Sequence, residues 1–164
     1  MSSRITRTLT IAAFAASLAA CSSVPLDQNG ANGAGSNSAS AGQIMDPFNP
    51  QSPLAQQRSV YFDFNSYTIP EQYRSVVEMH SNYLTGHPNQ KVRIEGNTDA
   101  RGSSEYNLAL GQRRSDAVAR AMKLLGVNAN QMEAISYGKE RPKAQGNTEA
   151  DYAENRRADI DYQR

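Results

Sequence analysis

Two residues, Asp99 and Arg114, have types and positions that suit binding chemistry. Asp99 lies in a run of turn formers, Asn97 to Ser103, ahead of a helical pattern, where the helix dipole favours a negative charge. Arg114 falls on one helical stripe with Asn107, Leu110, Ala117, Val118 and Ala121, which are separated by threes and fours. A guanidinium on an otherwise apolar stripe is costly to bury unpaired, so its head must find a carboxylate or reach the edge of the core. Two readings follow. In one, Asp99 and Arg114 form an internal ion pair that fastens the loop to the helix. In the other, they line a pocket and face a ligand with a separate ammonium and carboxylate, such as a zwitterionic amino-acid head. Each charge-assisted hydrogen bond is then worth roughly 1.5–3 kcal/mol. Spacing alone leaves both open.

The elements that must position this pair are legible as alternating strand and helix signals between Arg58 and Arg164. Ser59 to Phe64 is β-branched and aromatic-rich, a strand. Thr68 is the expected cap of a helix entered through Pro70, with Ile69, Tyr73, Val76, Val77, His80, Tyr83 and Leu84 on one stripe until Gly86 and Pro88. Lys91 to Glu95 alternates at period two as a half-buried strand. A second helix is expected from about Ser104 to Leu125, closed by Gly126. Glu133 to Tyr137 forms a third strand. Thr148 caps a short helix to Glu154, and Arg157 to Tyr162 is a last strand with Ala158, Ile160 and Tyr162 inward. The order βαβαβ(α)β implies an α+β, sandwich-like domain: a four-stranded mixed sheet with helices packed on it, because each crossover must cover apolar sheet.

The whole chain has 164 residues, 38% hydrophobic and 20% charged, with a formal charge of +1, so no charge excess marks a nucleic-acid binder. One cysteine excludes an intrachain disulfide and a cysteine-clustered metal site. His80, on the apolar stripe, reads as a packed core histidine and His87 as a turn residue; two isolated histidines make no metal site, and no cofactor is implied. No nucleophile elbow, zinc-protease or P-loop spacing is present, which argues against an enzyme.

The apolar residues are unevenly spread. Arg4 and Arg7 precede an uncharged run, Leu9 to Ala20, too short to span a bilayer and built like a secretory signal peptide over residues 1–20. It ends in Leu18-Ala19-Ala20-Cys21, which resembles the bacterial lipobox. That resemblance implies cleavage before Cys21, a diacylglycerol on its thiol and an acyl chain on its amine. Three chains would hold the protein on a membrane almost permanently, and Ser22 after the cysteine resembles the sorting signal for the outer membrane. Losing Arg4 and Arg7 moves the formal charge to −1. From Ser22 to Gln57 the 36 residues hold 4 Gly, 4 Pro, 6 Ser, 4 Asn and 5 Gln, with Asp27 and Asp46 the only charges. So little apolar surface cannot offset ordering entropy, so residues 21–57 are expected to be a flexible linker ahead of a 58–164 domain.

The stretch D-x-x-G-x(4)-N-x-x-L-x-x-x-R, matched by Asp99, Gly102, Asn107, Leu110 and Arg114, resembles the signature of OmpA-like peptidoglycan-binding domains. VYFDFN at 60–65, IEGNTDARG at 94–102, YNLALGQRR at 106–114, SYGKERP at 136–142 and NRR at 155–157 extend the match. With lipobox and linker in front, the chain is similar to the peptidoglycan-anchoring lipoproteins of the Tol–Pal system. The resemblance implies a periplasm-facing outer-membrane lipoprotein that binds the diaminopimelate side chain of the peptidoglycan stem peptide. Asp99 would take the ammonium and Arg114 the carboxylate, with Asp63, Asn65, Thr98 and Asn107 lining the pocket. It also implies TolB and TolA as partners. A second reading makes the docking of periplasmic proteins the main role. Ala100 departs from the acidic residue common at its place in these lipoproteins. Arg113 points away from Arg114 by about 100° and reads as a surface residue. Asn155-Arg156-Arg157 reads as a tie between the last strand and neighbouring carboxylates.

Overall fold

The computed structural model describes residues 45–164. The expected signal peptide, Cys21 and the expected linker as far as residue 44 lie outside the described residues. In chain order the elements are α1 (Pro53–Gln56), β1 (Ser59–Tyr61), a 3₁₀ turn (Glu71–Tyr73) running into α2 (Arg74–Gly86), β2 (Val92–Asn97) and α3 (Ser104–Leu124). A second 3₁₀ turn (Ala129–Gln131), β3 (Met132–Gly138), α4 (Glu149–Asn155) and β4 (Arg157–Tyr162) complete the domain.

The strands form one mixed sheet in the order β1-β4-β2-β3, antiparallel except for the β2–β3 pair. Helix α3 makes the β2–β3 connection, as a parallel pair requires. Val92 and Ile94 sit opposite Tyr162 and Ile160 in the register. They join Val60, Ala158, and Val77, Leu84, Val118 and Met122 of α2 and α3 in one core. The alternate positions, Arg93, Glu95, Glu133, Asp159 and Asp161, carry charge on the other face, where Arg93 pairs with Glu95 and Glu133. The expected α+β architecture, one sheet with helices packed against it, is the observed one.

Differences from the sequence expectations have local causes. β1 stops at Tyr61 rather than Phe64, although the Phe62 N–H still donates to the Arg156 carbonyl. β2 runs on to Asn97, two residues beyond the alternation, through an irregularity between Gly96 and Asn97. Thr68 caps nothing: the helical region opens at Pro70 with a 3₁₀ turn. Ser103 caps α3 through the Tyr106 N–H, Gly126 adopts the expected left-handed conformation after it, and Thr148 caps α4 in a reciprocal box with Asp151. The buried face of α3 is turned slightly, so that Gly111, Ser115 and Met122 face inward while Ala117 and Ala121 are only half-buried. Glycine occupies position 111 because that turn of the helix lies directly on the β2 backbone at Gly96.

The largest correction concerns the linker. Residues 45–57 pack onto the domain: Leu54 and Ser52 are fully buried, and Phe48 meets the Tyr162 ring edge-on. His80 fastens this segment. Its Nε2–H donates to the Gln57 carbonyl (2.8 Å), which leaves Nδ1 to accept from the Tyr162 hydroxyl (2.9 Å). Composition pointed to a coil, but a few well-placed apolar residues and one buried hydrogen-bond pair outweigh it. His80 is thus the core histidine expected, and His87 sits at the end of α2, stacked on Tyr83.

Candidate functional site

The site forms where the C-terminal ends of β1 and β2 meet the first turns of α3. Gly96 and Gly111 let helix and strand backbones touch; a Cβ on Gly96 would lie 1.9 Å from the Gly111 carbonyl oxygen. That approach carries Arg114 inward until its side chain is fully buried. Its Nε donates to the Ser66 carbonyl (2.8 Å), Nη1 to Asn97 (2.9 Å) and Nη2 to Asp63 (3.1 Å). One guanidinium therefore stitches the β1 exit loop, the end of β2 and α3 together. Of its five N–H donors, two are left, one on each terminal nitrogen.

The cleft beside this guanidinium is lined by Phe64, Asn65, Thr98, Asp99, Arg101, Tyr106, Asn107, Leu110 and Arg114. Asn65 sits at φ +52°, a left-handed conformation that asparagine tolerates better than most residues, and accepts from the Tyr106 hydroxyl. Asn107 donates to the Arg101 carbonyl (2.8 Å) and holds the loop against α3. The Thr98 hydroxyl is buried without a hydrogen-bond partner and borders the same cleft.

The charges do not pair as the first sequence reading supposed. Arg114 makes no ion pair with any described residue, and burial lowers its pKa to about 10, opposed in part by the Asp99 carboxylate. Asp99, itself 5% exposed, pairs instead with Arg101 (2.7 Å) and Arg156 (3.5 Å). Burial pushes its carboxyl up, but the side-chain and backbone bonds from Arg101 outweigh this and hold it below the usual carboxylate range. The ion-pair reading of Asp99 with Arg114 is thereby overturned: the two share a cleft, not a bond.

Of the residues singled out from the sequence, Asp99, Arg114, Asn65, Thr98 and Asn107 come together. Asp63 does not: its side chain is exposed and borders the neighbouring groove, and only its carbonyl reaches Arg114. Arg113 is exposed over the Tyr67 ring. The closing NRR run ties carboxylates as expected, Arg156 to Asp99 and Glu149, Arg157 to Asp159, while Asn155 anchors the backbone at Lys143 and Ala144. The sequence reading gave no role to Arg101, although it stands two residues from Asp99. Glu149 and Tyr152 come from the distant α4, and nothing in their spacing signals the cleft.

An open-faced α+β domain with a charged cleft at its strand ends is the class that fold and site define. A sequence model of the OmpA family matches residues 61–156. The chain is 40% identical over 159 residues to the peptidoglycan-associated lipoprotein of Pasteurella multocida, covering 97% of this chain and 99% of that one. It matches that of Haemophilus influenzae with the same identity and coverage. The crystal structure of the peptidoglycan-associated lipoprotein from Burkholderia pseudomallei is 57% identical, with a TM-score of 0.69 over 71% of this chain and 98% of that one. The C-terminal domain of Helicobacter pylori MotB shares the fold (TM-score 0.60) at 22% identity. The chain belongs to the OmpA family, and within it to the peptidoglycan-associated lipoproteins.

Proposed function

We propose that this chain moors the outer membrane to peptidoglycan without covalent chemistry, by holding the diaminopimelate side chain of a stem peptide in the cleft. The observation that carries the reading is the buried Arg114 guanidinium, which lacks an ion-pair partner among the described residues and borders a cleft that also presents Asp99. A carboxylate on the two spare N–H donors of Arg114 compensates its charge, and an ammonium on Asp99 completes recognition of both ends of one amino-acid head. Asn65, Thr98 and Asn107 supply polar walls, with the unpartnered Thr98 hydroxyl free to bond the ligand. Asp63 contributes through its carbonyl, which orients Arg114.

Cys21, lipidated and sorted to the outer membrane, anchors the other end, and the segment before the domain sets the distance between the two. In this reading the protein serves the Tol–Pal system, with TolB and TolA as partners, in envelope integrity and in constriction of the outer membrane at division. Co-sedimentation with sacculi containing or lacking diaminopimelate tests the ligand, and added TolB tests for competition. Equal sedimentation with both sacculi would sink the diaminopimelate reading, and release of soluble muropeptides would sink the non-enzymatic one.

A second reading, protein docking as the main role, is favoured by one feature. An open groove of about 550 Å³ lies beside edge strand β1, lined by residues that include Tyr61, Phe62, Asp63, Gln72, Tyr73 and Arg156, of which Phe62 and the Asp63 carbonyl also touch Arg114. Persistence of TolB binding in a variant that no longer sediments with sacculi would separate the two roles.

A further inference from the structure

The cleft between Asp99 and Arg114 has a volume of only about 20 Å³, room for one water and not for an amino-acid head. Something must leave before a ligand enters. The backbone carbonyls around Arg114 are fixed by its three hydrogen bonds, and Thr98, Asp99 and Asn107 are buried and held by the loop. Arg101 is different. It is a long side chain, 37% exposed, that reaches back over its own loop to put Nη2 2.7 Å from Asp99 Oδ2 and Nη1 3.2 Å from Glu149 Oε2. Its guanidinium carbon lies over the Phe64 ring at 4.4 Å and over the Tyr152 ring at 4.3 Å from the centroids. Two carboxylates and two aromatic faces are the surroundings that select a cation.

We infer that Arg101 is a resident cation: its guanidinium occupies the place of the ligand's ammonium, so binding requires Arg101 to leave Asp99 and the Phe64–Tyr152 cage. The inference rests on the diaminopimelate reading and adds to it a competitor built into the site. Apparent affinity is the intrinsic affinity multiplied by the fraction of molecules in which Arg101 has swung out. Because Arg101 is partly exposed while Arg156 stays bonded to Asp99 from the buried side, release of Arg101 does not leave the carboxylate unpaired. Ligand discrimination follows. A side chain with a carboxylate but no amine can engage Arg114 yet has nothing with which to displace Arg101, so the exchange selects for the zwitterion.

The test is calorimetry of the full chain in detergent with a soluble muropeptide bearing diaminopimelate. Arg101→Gln, which keeps the length and removes the charge, is expected to bind about tenfold more tightly than wild type, and Glu149→Gln to shift in the same direction by less. On saturation of the wild type, the Arg101 Nε–H resonance should move to the position of a solvent-exposed arginine. An unchanged or weaker affinity in folded Arg101→Gln, or an unmoved resonance, overturns the proposal. If Arg101→Gln does not fold, Glu149→Gln and the resonance decide. Asp99→Asn in the same assay keeps the two readings apart: its loss of binding beside an unaltered Arg101→Gln rejects the competitor alone, whereas no binding by wild type rejects both.

Discussion

Gly96 of β2 and Gly111 of α3 touch backbone to backbone, and this contact determines how deep Arg114 is set. Arg114 follows Gly111 by nearly one turn, so any residue that lifts the helix also lifts the guanidinium from the Asn97 carbonyl. Gly96→Ala places a methyl group on unyielding backbone, and an overpacking loss of about 3 kcal/mol is expected. Gly111→Ala meets the Ser136 hydroxyl at 2.3 Å, which can rotate, and the Gly96 carbonyl oxygen at 2.8 Å. It also gains about 1 kcal/mol of helix propensity, so its loss should be the smaller. Urea unfolding of both variants checks the order, and sacculus binding should fall with the stability.

Asp99 and Arg114 can be separated by substitution because they are held differently. Asp99→Asn keeps the Oδ1 acceptor that turns the loop at the Arg101 N–H, but it removes the charge and sets an amide NH2 where Oδ2 accepted from Arg101 and Arg156. Stability should change by about 1–2 kcal/mol, while sacculus binding drops at least about tenfold, the effect of losing one charge-assisted bond. Arg114→Lys concentrates the donors on one nitrogen, which cannot reach three carbonyls lying in different directions. It should lose about 2–4 kcal/mol of stability as well as binding. Thermal unfolding beside co-sedimentation distinguishes the two patterns.

His80 sets a pH dependence. Burial lowers its pKa from 6.5 to about 4, opposed in part by its bond to the Gln57 carbonyl. Between those values the unfolded chain binds a proton that the folded chain refuses, so stability falls as pH drops from about 6.5 to about 4 and is flat on either side. The full loss is up to roughly 3 kcal/mol. A proton on Nδ1 also displaces the Tyr162 hydroxyl hydrogen from its acceptor. Chemical denaturation at pH 7 and pH 4 measures the slope; His80→Gln should flatten it.

Leu54 tests the docking of the N-terminal segment. It is fully buried although it lies in a stretch whose composition reads as linker. Leu54→Ala should cost about 2–3 kcal/mol, the low end for a buried leucine, because a terminal segment can undock instead of leaving a cavity. Proteolysis should then open the chain near residues 45–57 before the domain unfolds. Unchanged stability and protection would show that the segment contributes nothing.

The strands and helices were readable because each writes its own period: Val92 and Ile94 alternate, and Leu110, Arg114 and Val118 recur at helical spacing. The cleft was readable in part for the same reason, since a charge on an apolar stripe marks itself as unusual. Thr98 and Asn107 were reached through resemblance, and the structure brings both to the cleft. The docking of residues 45–57 was not readable, because it depends on whether one leucine and one carbonyl find a groove and a histidine on a domain folded from later sequence.

Local order was therefore written in the chain: the βαβαβ(α)β succession, the cap at Thr148, and the isolation of Asp99 and Arg114 as chemically unusual residues. Pairing was not. Which carboxylate meets which guanidinium depends on distances across the fold, and the fold sent Asp99 to Arg101 and Arg156, brought Glu149 and Tyr152 from α4, and left Arg114 with carbonyls alone. Periodicity is a property of neighbours in sequence, whereas electrostatic partnership belongs to neighbours in space, and the two coincide only within a single element.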